Sequence, residues 1–241
     1  MNILAIDASA LAGSVAYFKE GKLVGEYYIC HKLTHSETIM PMLEHLKNLI
    51  GMDLEIIDAI AVTSGPGSFT GLRIGVTTAK ALALALNVPI IGIPTLDALA
   101  HNITHVSARI CPIMDARRNQ VYTAVYKWQG ETLERLTEHL ACDMDEHLET
   151  LVDSEEQVIF LGDGVDVHRE KIVSKLGDKA LFAPLFLNLQ RASVLGEIAC
   201  KAYERGETYD ASTFVPIYLR KSQAEREREE RLAQEKNNAN C

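Results

Sequence analysis

The stretch TSGPGSFTGLRIGVTTAK, residues 63–80, decides the fold. It places a glycine-rich turn between an apolar strand pattern and a long helix pattern, which is the layout of a phosphate-binding loop. It matches neither common nucleotide motif, because no lysine follows Gly71 as GxxxxGK[ST] requires, and GxGxxG needs its third glycine one residue earlier. Gly65 and Gly67 still permit backbone angles that other residues resist. Two hypotheses remain: an anion site at a helix N-terminus, or a tight turn that serves close packing.

The helices on either side of this turn predict a protein contact surface. The pattern of residues 72–86 is apolar nearly all round, so that helix should be buried on more than one side. The helix pattern of residues 36–50 is also apolar and rich in methionine, which is favoured at adaptable contact surfaces. Together they predict a two-helix apolar face that binds a partner or a second copy of the chain. The residues predicted at this interface are Met42, Leu46, Leu49, Leu72, Val76, Ala79 and Lys80.

The composition indicates an ordinary globular protein. The chain has 241 residues, of which 47% are hydrophobic and 24% charged, with a formal net charge of −9. So acidic a chain does not favour binding a nucleic-acid backbone by itself. The five cysteines are scattered without a CxxC pair, which favours reduced thiols in a cytosol. We find no signal-peptide pattern and no run near the roughly 18 apolar residues of a membrane span, and we predict a cytoplasmic protein without membrane contact.

The strand patterns repeat in the two halves of the chain. Residues 2–6 form an apolar run that ends at Asp7 and is followed by a turn and two strands; residues 110–114 end at Asp115 and are followed in the same way. This repetition predicts an α/β fold of two duplicated lobes. We expect an N-terminal lobe at 1–105, a C-terminal lobe at 106–220 and a charged helical tail at 221–241.

At this point the sequence resembles a known family. SGPGSFTGLRIGVTTAKALA closely resembles the TsaB (YeaZ) family, whose members are needed to make threonylcarbamoyladenosine in tRNA. Further matches run from residue 1 to about residue 220: NILAIDAS, His35-Ser36-Glu37 with Pro41, PTLDALA, MDARRNQVY and PIYLR. The resemblance implies the actin-like ATPase fold shared by sugar kinases, Hsp70 and actin.

The resemblance also implies a role without catalysis. Members pair with the paralogue TsaD, which holds the metal and nucleotide and transfers the threonylcarbamoyl group to adenosine 37 of tRNAs that read ANN codons. The small ATPase TsaE joins them, and tRNA would be reached only through this complex. The TsaD metal pair, His-x-x-x-His, would fall at residues 94–99, where this chain has no histidine. We therefore predict no catalytic residue and no required cofactor.

Two His-x-x-x-His pairs lie elsewhere, His31 with His35 and His101 with His105. Histidines four residues apart on a helix can share a metal ion, and Asp97 would be a third ligand for the second pair. Surface or helix-capping roles are the alternative for all four. The weaker of the two metal hypotheses is the first pair, because it straddles the predicted start of a helix.

Weak binding of ATP or ADP with Mg²⁺ is a further hypothesis. In actin-like folds the phosphates lie between the turns that follow the two lobe-opening strands; the residues at those positions are Asp7, Ser9, Asp115, Gly162 and Gly164. Asp7 and Asp115 would position Mg²⁺ through water. The first turn has no lysine or second glycine, so the aspartates could instead satisfy backbone N–H groups of their own turns. The alternative function is a stand-alone, weakly nucleotide-binding phosphotransferase or a metallopeptidase-like enzyme of the same fold.

Overall fold

The computed structural model describes residues 1–31, 33–220 and 231, so the predicted charged tail lies outside the described residues except at that last position. The first half contains β1 (Ile3–Asp7), β2 (Gly13–Lys19), β3 (Lys22–Ile29), α1 (His35–Ile50), β4 (Ala59–Gly65), α2 (Phe69–Leu86), β5 (Ile90–Pro94) and α3 (Thr95–Ala100). The second half contains β6 (Arg109–Asp115), β7 (Gln120–Thr123), β8 (Tyr126–Gln129), β9 (Thr132–Arg135), β10 (Leu140–Asp143), α4 (Met144–Val152), β11 (Val158–Leu161), α5 (Gly164–Leu176), β12 (Ala180–Phe182) and α6 (Ala192–Glu204).

The two sheets repeat one topology. The first has the strand order β3-β2-β1-β4-β5, and the second has β10-β7-β6-β11-β12 with β8 and β9 attached to β6. In each, the opening strand pairs antiparallel with the next strand and parallel with a later one: β1 with β2 and β4, and β6 with β7 and β11. This duplication confirms the predicted actin-like ATPase fold with two lobes.

The first sheet is covered on both faces. On one face, α1 and α2 pack against apolar side chains of β1, β2 and β4. On the other face lies α6, although it follows the second sheet in sequence. Small residues make this close approach feasible, since a Cβ atom on Gly196 would lie 2.3 Å from the ring of Phe18. Helix α6 therefore packs in the first lobe, although its residues fall within the range 106–220 that we expected to form the C-terminal lobe.

The chain after the second turn is divided into two short strands. Both β7 and β8 pair with β6, but their second neighbours differ, β10 for β7 and β9 for β8. Between them, the backbone N–H of Val125 donates to the hydroxyl of Thr137. Helix α1 begins as predicted, with the Glu37 carboxylate accepting the backbone N–H of Thr34, and it continues through Pro41.

Residues 207–220 form a C-terminal strap across the molecule. Tyr209 pairs with Ile90 at the edge of the first sheet, and the N–H of Ile217 donates to the carbonyl of Ser64 at 2.6 Å. The strap ends on the second lobe, where Arg220 donates to the carbonyl of Ala116. The strap therefore joins the two lobes.

Helix α2 has a strongly apolar composition. Among the described residues it alone is long and apolar enough to cross a membrane, judged by length and composition. A core helix of a soluble protein passes the same test, and α2 packs on β4. Only 33% of its residues are buried, so much of its apolar surface faces outward.

Candidate functional site: the interlobe cleft and the outer helix face

A cleft of about 460 Å³ lies between the lobes. Its walls are the turn after β1, the glycine-rich loop, the turn after β6 and the end of the strap. Ser9 and Asp115, two of the predicted nucleotide residues, line it. Asp7 does not line it, and the predicted glycines 162 and 164 contribute only through the intervening Asp163.

Asp7 is turned into the protein and is completely buried. Its Oδ1 accepts hydrogen bonds from the backbone N–H of Ser9 at 2.9 Å, the hydroxyl of Ser9 at 2.7 Å and the hydroxyl of Thr63 at 3.3 Å. Its Oδ2 has no partner among the described residues. Burial raises the pKa of Asp7, against the lowering effect of these hydrogen bonds. This arrangement fits the hypothesis that Asp7 accepts hydrogen bonds from its own turn better than the hypothesis that it positions Mg²⁺.

The glycine-rich loop lies directly against that first turn. A Cβ on Gly67 would lie 2.2 Å from the carbonyl oxygen of Ser9, and one on Gly71 would lie 2.1 Å from that of Ala8. Ser68 donates its N–H to the Ser9 carbonyl at 2.7 Å, and the N–H of Gly71 donates to the Ser68 hydroxyl. The N–H groups of Ser68 and Gly71 are therefore engaged within the protein. The packing hypothesis for residues 63–80 accounts for the loop.

The second turn is built in a parallel manner. Gly162 and Gly164 pack on the carbonyl of Ile113, at 2.2 and 2.9 Å from a hypothetical Cβ. Asp163 accepts the N–H of Asp115 at 3.1 Å, and burial raises the pKa of Asp163 to about 6. Asp115 itself accepts the N–H of Arg117. Two carboxylates thus line the cleft together with the guanidinium groups of Arg117 and Arg220, so the lining has no excess of either charge.

The predicted partner interface requires a correction. Five of its members are buried in the core of their own lobe: Met42, Leu46, Leu72, Val76 and Ala79. The reason is that the most regular apolar stripe of each helix covers its own sheet. Lys80 is half-buried and donates to the strap carbonyls of Ser212 and Phe214. Only Leu49 points outward, with 75% exposure.

A different set of side chains faces outward from α2. We define the outer helix face by the exposed apolar and small residues of α2, which are Thr77, Ala81, Leu84 and Ala85. Leu84 is 59% exposed. The spacing of the α2 members, four, three and one residues apart, is itself a helical stripe. Sequence reasoning missed it because both sides of α2 are apolar.

The histidine pairs have other contacts. His35 donates from Nε2 to the carbonyl of Ala10, and the Nδ1–H of His101 donates to the carbonyl of Asp97, both at 2.7 Å. The rings of His101 and His105 flank Trp128. Within the described ranges, no group of three or more metal-ligating side chains is found. His35, His101 and His105 therefore make hydrogen bonds and ring contacts that stabilise the fold.

A buried Cys–His pair was not predicted. The Sγ of Cys111 lies 3.2 Å from Nε2 of His147 in the core of the second lobe. Burial raises the pKa of Cys111 to about 12 and lowers the pKa of His147 to about 4. Both groups are therefore neutral at pH 7, and the thiol has no access to a substrate, so the pair does not form a nucleophile.

Comparison with known proteins gives consistent results. The sequence model of the family TsaD, tRNA N6-adenosine threonylcarbamoyltransferase, matches residues 31–228. The tRNA threonylcarbamoyladenosine biosynthesis protein TsaB of Bacillus subtilis is 37% identical over 225 residues, which cover 93% of this chain and 96% of that protein. The solved structure of YeaZ from Pseudomonas aeruginosa has a TM-score of 0.76 and 28% identity over 90% of this chain and 99% of its own. A second structure from that organism, described by its similarity to peptidase YEAZ, also has a TM-score of 0.76 and 28% identity, over 91% of this chain and 99% of its own.

Proposed function

The chain belongs to the TsaD family and, within it, to the proteins named TsaB, and from this premise we propose that it is a non-catalytic subunit in the formation of threonylcarbamoyladenosine in tRNA. It pairs with a TsaD paralogue of the same cell, which carries out the transfer. TsaE joins this pair, and tRNA is contacted through the complex, since a formal net charge of −9 disfavours binding of a nucleic-acid backbone by this chain alone. The complex works in the cytoplasm.

The outer helix face is the observation that carries this proposal. Monomeric proteins rarely expose a contiguous apolar surface unless it binds something. Here an 18-residue apolar helix is only one-third buried, and Leu84 projects from its outer side. Two helices of the paralogue packed on this face would complete a four-helix bundle, the packing by which pairs of helices bury such stripes. The face is also self-complementary, so two copies of the chain would compete with the paralogue as a homodimer.

The cleft supports a role without catalysis. A phosphotransferase needs N–H groups aimed at the phosphates, whereas the N–H of Ser9 in the first turn donates to Asp7 and the N–H of Ser68 in the glycine-rich loop donates to the Ser9 carbonyl. A peptidase needs an accessible nucleophile with a base, and the Cys111–His147 pair is sealed in the core. The nucleotide predicted at this cleft fits poorly for the same reasons, and the proposed role requires no cofactor.

Reconstituted modification of tRNA tests this function. The amount of threonylcarbamoyladenosine formed is measured with this chain alone, with the TsaD paralogue alone and with both, the remaining components being held constant. We expect product only when both proteins are present. Product from this chain alone, or full activity of the paralogue without this chain, would contradict the proposed function.

A further inference from the structure

A second cavity, of about 650 Å³, lies on the other side of the strap from the interlobe cleft, and Ile217 lines both. Its walls come from the ends of β4 and β5, from α3, from the β8–β9 hairpin and from the strap. Both lobes therefore contribute. Apolar side chains such as Leu133 and Phe214 alternate with a few polar groups, and the size and lining are typical of a small-molecule site.

One polar group in this cavity has no partner. The hydroxyl of Ser64 belongs to a residue that is 4% exposed, and it makes no hydrogen bond to any described residue. Its own carbonyl is already used by the strap at Ile217. An unpaired buried hydroxyl is costly, and native proteins seldom leave one without a function. That oxygen also has less than 1 Å² of accessible surface, so it lies beneath the cavity wall and a ligand in the cavity does not reach it.

Asp97 supplies a fixed negative charge to the same cavity. Its Oδ1 accepts the hydroxyl of Tyr126 at 2.6 Å and lies 2.8 Å from Nε2 of His139. Burial alone would raise the pKa of Asp97, but the hydrogen bonds from His139 and Tyr126 outweigh it and leave that pKa below its usual value. The second oxygen, Oδ2, accepts from no described residue, and the side chain is 26% exposed. Oδ2 of Asp97 is therefore free to accept a hydrogen bond from a cationic group.

The other charged groups of the cavity determine which net charge a ligand can carry. Arg135 lies 3.8 Å from Asp97, and Arg205 forms a pair with Glu207. Two guanidinium groups and two carboxylates thus line the cavity, with no net charge. Burial lowers the pKa of His101, so its ring adds no positive charge at pH 7. A polyanion such as a nucleotide lacks the excess positive charge it would need, whereas a neutral molecule with separated charges fits.

We propose that this cavity binds a small zwitterion of the α-amino-acid class. Its ammonium group lies against Oδ2 of Asp97, and its carboxylate receives hydrogen bonds from Arg135. Its side chain enters between the apolar walls. This binding function goes beyond the proposed subunit role and stands independently of it.

Binding to the full chain is measured directly. The unfolding midpoint is recorded with each common α-amino acid at about 10 mM, and compounds that raise it are titrated by calorimetry, since a ligand of the native state stabilises it by mass action. We expect at least one α-amino acid to bind. Its N-acetyl and amide derivatives, which each lack one charge, should bind at least about tenfold more weakly.

One variant and a control complete the test. Asp97→Asn keeps the shape of the side chain but removes its negative charge, so it should weaken binding about tenfold or more. Asp153→Asn, an exposed aspartate after α4, should bind as the wild type does. The proposal is overturned if no amino acid binds at about 10 mM, if the N-acetyl derivative binds equally well, or if Asp97→Asn binds unchanged.

Discussion

Gly67 is in backbone contact with Ser9: a Cβ atom on Gly67 would lie 2.2 Å from the Ser9 carbonyl oxygen, and that oxygen accepts the N–H of Ser68. The glycine-rich loop thus lies directly on the first turn of the lobe. A sequence with the layout of a phosphate loop serves packing here. This contact holds α2 close to the sheet and leaves the outer side of that helix free.

The first prediction tests this contact. Gly67→Ala should lower the free energy of unfolding by about 1–3 kcal/mol, because the added methyl group meets backbone that cannot move aside. Gly75→Ala should change it by less than about 1 kcal/mol, since its Cβ would meet only the Ala8 methyl group at 3.3 Å and alanine favours the helix. Urea unfolding measures both. Equal stabilities of the two variants would contradict the close contact.

The second prediction separates the two sides of α2. Val76 is 4% exposed and packs in the core of the first lobe, so Val76→Glu buries an unpaired charge and should prevent stable folding. Leu84→Glu, at a position 59% exposed, should keep the unfolding midpoint within a few degrees of the wild type. Circular dichroism during heating distinguishes these outcomes. A stably folded Val76→Glu variant would mean that this side of α2 is not core.

Some of this architecture could be predicted from the sequence. The repeated strand–aspartate pattern at Asp7 and Asp115 led to the duplicated lobes, because each lobe opens with a strand buried on both faces. The glycines at 65, 67 and 71 indicated close packing. The fold and family were therefore accessible from local pattern and motif.

Other features depend on tertiary packing, which no local sequence pattern specifies. Both sides of α2 are apolar, so the sequence could not tell that Val76 faces the core and Ala81 the outside. The return of α6 to the first sheet depends on the fit of Gly196 against Phe18, which are far apart in the chain. Likewise, the cavity beside Ser64 exists only because the strap crosses the lobes.

The third prediction concerns Lys80, which donates from Nζ to the carbonyls of Ser212 and Phe214 at 3.1 and 2.9 Å. Lys80→Met keeps the apolar stem and removes both bonds, so it should destabilise the protein by about 1–3 kcal/mol. Lys47→Met, at an exposed position on α1, should have an effect below about 0.5 kcal/mol. Chemical unfolding of both variants is the measurement, and a Lys80→Met variant as stable as Lys47→Met would show that the strap is not held there.

The fourth prediction follows from the raised pKa of Asp163. The folded state holds this proton up to a pKa of about 6, whereas the unfolded chain releases it near 3.8, so Asp163 makes the protein lose stability as pH rises between these values. Asp163→Asn keeps the acceptor for the Asp115 N–H and removes the titration. Its stability relative to the wild type should rise by about 2 kcal/mol from pH 4.5 to 7.5.

Parallel urea unfolding of the two proteins at several pH values provides this comparison, in which other titrating groups such as Asp7 cancel. A stability difference that stays constant over this range would show that Asp163 has an ordinary pKa and is not desolvated in the cleft.

The most direct test of the subunit role is the affinity for the TsaD paralogue of wild type, Leu84→Glu, Ala81→Glu and Val167→Glu. Val167 on α5 is 60% exposed, which matches Leu84 while lying on the other lobe. If the outer helix face is the interface, Leu84→Glu and Ala81→Glu should each remain folded and bind at least about tenfold more weakly, and Val167→Glu should bind as the wild type does. Unchanged affinity of both α2 variants would contradict the proposed interface.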